Sequence, residues 1–178
     1  MEKLTSNQPK VTGLLFGALN TLLLLFCILT SNAVAVESGH YLDNEDGTIT
    51  DKNTGLMWLQ KDSYLHTGHW ISWKDTHEYI LQLNNEAFAQ HSDWRMPTTD
   101  ELKSLYEPEK TNGSQAGSEM KIHTDPIFGK DGGGSLWSGE QNGHYNAFGV
   151  VFNSGEGFNG NKKSRSRKAT RAVRNHTN

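Results

Sequence analysis

From Val11 to Leu29 the chain is almost wholly apolar, and that run decides what the rest can become. It follows a polar start bearing Lys3 and Lys10. It leads through Ser31 and Asn32 into Ala33-Val34-Ala35, the small-x-small pattern at which signal peptidases cut. Charged start, apolar middle and small-residue exit predict a secretory signal peptide over residues 1–35 and a mature domain over 36–178. At about 20 residues the run also suits a membrane-spanning helix, so an uncleaved anchor is the rival. Membrane contact is expected only in that case. Gly17 and Asn20 interrupt the run and the Ala-x-Ala exit favours cleavage. Lipidation of Cys27 is set aside, because Phe26 stands where a small residue is required.

The consequence is a mature chain without cysteine. Cys27 is the one cysteine of the 178 residues, and it leaves with the signal. Disulfides, zinc–thiolate sites and cysteine nucleophiles are therefore excluded from residues 36–178. Core packing must hold the domain together, and about 140 residues suffice for that. Charge is unevenly placed. Losing Lys3, Lys10 and Glu2 leaves the mature chain one charge more negative than the −3 of the whole. Yet residues 160–178 hold Lys162, Lys163, Arg165, Arg167, Lys168, Arg171 and Arg174 and no acid. An acidic body with a basic C-terminal segment results.

Local patterns give the elements. Asp46-Gly47 and Asn53-Thr54-Gly55 read as turns between short β-prone runs, Thr48-Ile49-Thr50 and Leu56-Met57-Trp58-Leu59. Ser72 with Asp75 forms a capping-box variant opening a helix, whose apolar spacing runs to about Ala89. Thr98-x-x-Glu101 opens a second helix, which Pro108 stops. Residues 109–135 read as a long loop, since Gly, Ser, Asn and Thr dominate it. Strands are expected at Ser135–Ser138, Ala147–Phe152 and Ala169–Arg174, with a glycine- and base-rich connection over 153–168. Strands, then two helices, then strands make an α+β domain with long Gly-rich loops.

Four blocks in this order carry a resemblance. They are Asp46-Gly-Thr-Ile-Thr-Asp-Lys-Asn-Thr-Gly-Leu-Met-Trp58, Asp93-Trp-Arg-Met-Pro-Thr-Thr-Asp-Glu-Leu102, Leu136-Trp-Ser138 and Arg171-Ala-Val-Arg174. The chain resembles the Lcl C-terminal domain family over essentially all of residues 41–175. The resemblance implies a compact C-type-lectin-like fold, distantly akin to the formylglycine-generating-enzyme domain, in exported bacterial proteins. It also implies an extracellular or periplasmic location, and in the member that names the family the domain is associated with adhesion to sulfated polysaccharides. Where many relatives are aromatic-rich before the final arginines, this chain has Asn161-Lys-Lys-Ser-Arg-Ser-Arg-Lys168.

Read on their own, the side chains of these blocks are mainly structural. Trp58, Trp94 and Trp137 lie in apolar or strand-like contexts and are expected in the core. Arg95 is expected to order a turn through carbonyls or a carboxylate. Asp93 and Asp100 read as turn and cap residues.

Catalytic and metal chemistry find little support. His66-x-x-His69 offers two imidazoles in a glycine-containing loop, short of the three or four anchored ligands that zinc needs. Asp43, Glu45, Asp46 and Asp51 cluster near a hairpin, but the spacing fails the EF-hand pattern. Glu107-Pro-Glu109 lacks the asparagine of sugar-binding lectin loops. No nucleophile elbow, phosphate loop or dinucleotide fingerprint occurs, so neither an enzyme nor a cofactor is expected.

Binding remains. Lys162, Lys163, Arg165, Arg167 and Lys168 lie close enough in sequence to attract a polyanion if they face solvent together. For an exported protein, sulfated or acidic glycans fit better than nucleic acid. The other reading is a structural or protein-interaction module of the envelope, with the basic run only offsetting the acidic body.

Overall fold

The computed structural model describes residues 36–176; the signal-peptide expectation lies outside the described residues. Strands β1 (Glu37–Ser38), β2 (Tyr41–Asp43), β3 (Thr48–Asp51) and β4 (Leu56–Leu59) follow one another as an antiparallel meander. The turn before β3 needs Gly47, whose φ of 88° is open to glycine without strain. Helices α1 (Ser63–Thr67), α2 (Trp73–Asn85) and α3 (Thr99–Ser104) come next. The long segment 105–134 leads to β5 (Ser135–Asn142), β6 (Asn146–Val151), β7 (Glu156–Asn161) and β8 (Val173–Asn175). Strand β8 returns to pair with β4, giving a five-stranded sheet in the order β1-β2-β3-β4-β8; β5-β6-β7 form a second, three-stranded sheet. The chain is an α+β domain, as expected.

Period-two alternation explains why β4 is buried throughout. Leu56 and Trp58 point into the main core with Tyr41, Ile49, Val173, Leu136, Val150, Phe152, the α3 residue Leu102 and Leu105 just after that helix. Met57 and Leu59 point the other way, onto Tyr79 and Leu83 of α2 and onto Trp94. A third cluster joins Trp73, Trp137 and Ala147. Among the described residues every core residue lies between Tyr41 and Val173, so residues 36–176 carry their own core. Trp58, Trp94 and Trp137 are all buried, as expected.

Both capping boxes form: Ser72 with Asp75 on α2, and Thr98 with Glu101 on α3. Four sequence expectations need correction. The last strand spans Val173–Asn175 rather than Ala169–Arg174, because the backbone of Ala169 and Thr170 is bonded to β5 and α1 instead. The loop holding His66 begins as α1, because the Asp62 carboxylate caps the backbone of Tyr64 and Leu65 at 2.9 and 3.1 Å. Helix α2 stops at Asn85 rather than near Ala89, since Ala87 and Ala89 adopt left-handed φ values of 47° and 51°. Finally, the connection 153–168 contains the strand β7, paired with β6 along its whole length.

Candidate functional site

The basic segment is a loop from Lys162 to Lys168, leaving the end of β7 and running toward β8. Its five cations do not stand on the surface together. Lys162 corrects the expectation most clearly, being only 6% exposed. Its Nζ donates to Gln141 Oε1 at 2.7 Å, Gly143 O at 2.9 Å and His144 O at 3.2 Å, and lies 4.9 Å from the centre of the Trp73 ring. The physical reason is β alternation. Phe158, Gly160 and Lys162 occupy every second position, so Lys162 continues the face that packs on Trp137. Burying an ammonium is costly unless its donors are satisfied, and three oxygens with an aromatic face satisfy them. Lys162 thereby ties the β5–β6 hairpin tip to the base of the loop, with its own N–H donating to Tyr145 O at 2.9 Å.

Of the other four cations, Lys163, Arg165 and Arg167 are exposed and Lys168 is half-buried. Arg165 grips Asp75 with two bonds, Nε to Oδ2 at 2.8 Å and Nη2 to Oδ1 at 3.2 Å. Burial opposes ionisation of Asp75, but hydrogen bonds from Arg165 and from Ser72 outweigh it and hold the carboxyl below its ordinary pKa. The Arg165 side chain stays 68% exposed, so this is a surface pair of little strength. Lys168 places Nζ 5.6 Å from the centres of both the Trp137 and Phe158 rings and donates to Ser166 O at 3.2 Å. Partial burial lowers its pKa. Lys163 and Arg167 are exposed, and among the described residues neither has a carboxylate in ion-pairing range. Beside the loop, Tyr145 at the hairpin tip is 72% exposed, an aromatic that sequence reasoning did not single out.

The closing arginines are turned inward. Arg171 is buried, donating to Leu59 O at 2.7 Å and to Gln60 O, with its guanidinium 4.7 Å from the Phe128 ring centre. Asp62 Oδ2 lies 3.9 Å away, too far for a direct hydrogen bond but close enough to balance charge. Arg174 donates from Nε to Asp93 Oδ1 at 2.6 Å. Arg95 forms a bidentate pair with Glu101 and donates to Met96 O at 3.3 Å, which fits its expected role of ordering the turn before α3.

The candidate metal ligands lead elsewhere. His66 Nδ1 sits 3.0 Å from Tyr79 OH and lines a pocket of about 260 Å³ with Thr67, Gln82, Leu83 and Glu86. Asp43, Asp46 and Asp51 each accept a backbone N–H two residues on, at 2.8, 3.0 and 2.9 Å, so their carboxylates close turns. Glu107 pairs with Lys110 at 2.6 Å. Among the described residues no group of three His, Cys, Asp or Glu side chains converges as a metal site would require, and no helix is long and apolar enough to cross a membrane.

Together, fold and loop define a small α+β domain with an outward-facing basic connection between its last two strands. The family model of the Lcl C-terminal domain matches residues 47–174, and the chain belongs to that family. No curated protein matches the chain.

Proposed function

We propose that this protein is an exported, non-catalytic binding domain that recognises acidic or sulfated polysaccharides, as an adhesion-type module does. Lys163, Arg165, Arg167 and Lys168 supply the contacts, while Lys162 anchors the loop from inside. The observation that carries this reading is the loop's unspent charge. Lys163, Arg167 and Lys168 lack carboxylate partners among the described residues, and the one partner of Arg165 is a weak surface contact. Unpaired cations on a protein of net negative charge attract polyanions locally and release counterions on binding. Tyr145 adds an exposed ring at the adjacent hairpin tip, a surface on which a sugar face can stack.

The test is retention of residues 36–178 on immobilised heparin, with a neutral dextran matrix as control. Binding at low ionic strength that weakens steeply with salt is expected. It should be largely lost when Lys163, Arg165, Arg167 and Lys168 are all changed to Gln. A protein that passes unretained at low salt would overturn the glycan reading and leave a protein-interaction module of the envelope.

A further inference from the structure

We propose that β7 is a self-association edge, through which two copies of this chain pair antiparallel and join their three-stranded sheets into one. The inference does not depend on the glycan reading. It starts from which backbone groups are used. Trp137 N–H turns away from β6 to donate to Ala169 O at 2.8 Å, so Trp137 and Gly149 form a non-hydrogen-bonded pair. Alternation then directs Gly149 toward its partner Phe158 on β7. Lys162 N–H, bonded inward to Tyr145 O, gives the same phase four residues on. By both routes Gly157, Asn159 and Asn161 direct their N–H and C=O groups outward. All three are exposed, and the only backbone group that meets this edge among the described residues is Ser164 N–H, on Asn161 O.

The other sheet edges are closed or short. Strand β8 exchanges two backbone bonds with Arg95. The outer side of β5 is bonded to Ala169 and Pro97. Strand β1 has two residues. Strand β7 has six, with no proline, no lysine and no break in register. Proline, lysine and bulges are devices that blunt an open edge, and β7 has none of these three.

A second copy is the occupant that the edge itself specifies. Strand β7 begins with its one acid, Glu156, and ends at the basic loop. Antiparallel pairing carries each Glu156 to the start of the other copy's basic loop, whereas parallel pairing would align like with like. The register that matches the most outward groups puts Asn159 opposite the second copy's Asn159 and Gly157 opposite Asn161 in both directions.

That register sets the experiment. Sedimentation equilibrium of residues 36–178 is run for the unchanged domain, for Asn159→Lys, for Asn159→Asp and for an equimolar mixture of the two variants. Circular dichroism melting confirms that each is folded, since Asn159 is exposed. The unchanged domain should dimerise with rising concentration. Each variant alone should weaken the dimer at least about tenfold, because like charges face each other across the two-fold axis. The mixture should recover it. A domain that stays monomeric up to about 1 mM overturns the proposal. So does a dimer indifferent to both variants, or a mixture no tighter than its components.

Discussion

Replacing Lys162 with Met separates the two roles open to a lysine in this loop. The side chain keeps nearly the same length and loses its charge. In the native domain Nζ makes three hydrogen bonds, at 2.7, 2.9 and 3.2 Å. A bond to a charged donor is worth about 1.5–3 kcal/mol, so losing three costs roughly 5–9 kcal/mol before the burial of the charge itself is counted. Two terms reduce it. Burying the ammonium already costs several kcal/mol, which Lys162→Met recovers. Gly143 and His144 are themselves exposed, so water can satisfy their freed carbonyls. A net loss of about 1–3 kcal/mol remains. With m of about 2 kcal/mol/M in urea, the unfolding midpoint should fall by roughly 0.5–1.5 M. Heparin retention should change far less than for Lys163→Met, which removes an exposed charge and should leave the unfolding free energy within about 0.5 kcal/mol. Equal stability of Lys162→Met and the unchanged domain would refute the anchoring role. So would a loss of retention matching that of Lys163→Met, since a buried tie has no ligand to release.

Two further outcomes follow from the core and from its carboxylates. Trp94→Ala should cost about 3–5 kcal/mol in urea unfolding, since the ring is buried and its Nε1 donates to Phe88 O at 3.1 Å; a loss under about 1 kcal/mol would place that ring at the surface. Stability should also fall in acid. Burial raises the pKa of Asp125, but hydrogen bonds from Lys110, Ile127 N–H and Ser38 outweigh it and leave the group below its ordinary value; Arg95 acts likewise on Glu101. A group depressed in the folded state contributes fully above its unfolded pKa, and that contribution disappears as pH falls through the folded value. The urea midpoint should therefore hold level from neutral to about pH 5 and decline below about pH 4, with a shallower decline in Asp125→Asn. A midpoint unchanged between those limits and about pH 3 would contradict this reading.

The parts of the fold that could be read from sequence are those where a few neighbouring residues fix local geometry. Ser72 with Asp75 and Thr98 with Glu101 announce helix starts because a cap needs only a side chain and two backbone groups within one turn. Asp46-Gly47 announces a hairpin for the same reason. Strand β7 escaped because Glu156-Gly-Phe-Asn-Gly-Asn161 has two glycines and one large apolar residue, so its strand state comes from pairing with β6 rather than from propensity. Gly149 and Gly160 are there to admit neighbours. A Cβ on Gly149 would clash with Leu136 O, and one on Gly160 would meet the Trp137 ring at 2.9 Å.

Missing β7 is also what made five cations look like one patch. Once the strand is in place its alternation extends by one residue past Asn161, and Lys162 must follow Phe158 and Gly160 to the Trp137 side. Lys163 takes the opposite side, and the chain then leaves the sheet, freeing Arg165 to reach α2 and Lys168 to return over the aromatic rings. Charge density along a sequence therefore overstates charge density on a surface wherever a basic run begins at the end of a strand. Here the first cation goes to the interior and the rest diverge. A polyanion that engages this loop must span it, with separate anionic groups meeting Lys163 and Arg167, so short fragments should bind much more weakly than long chains of the same charge density.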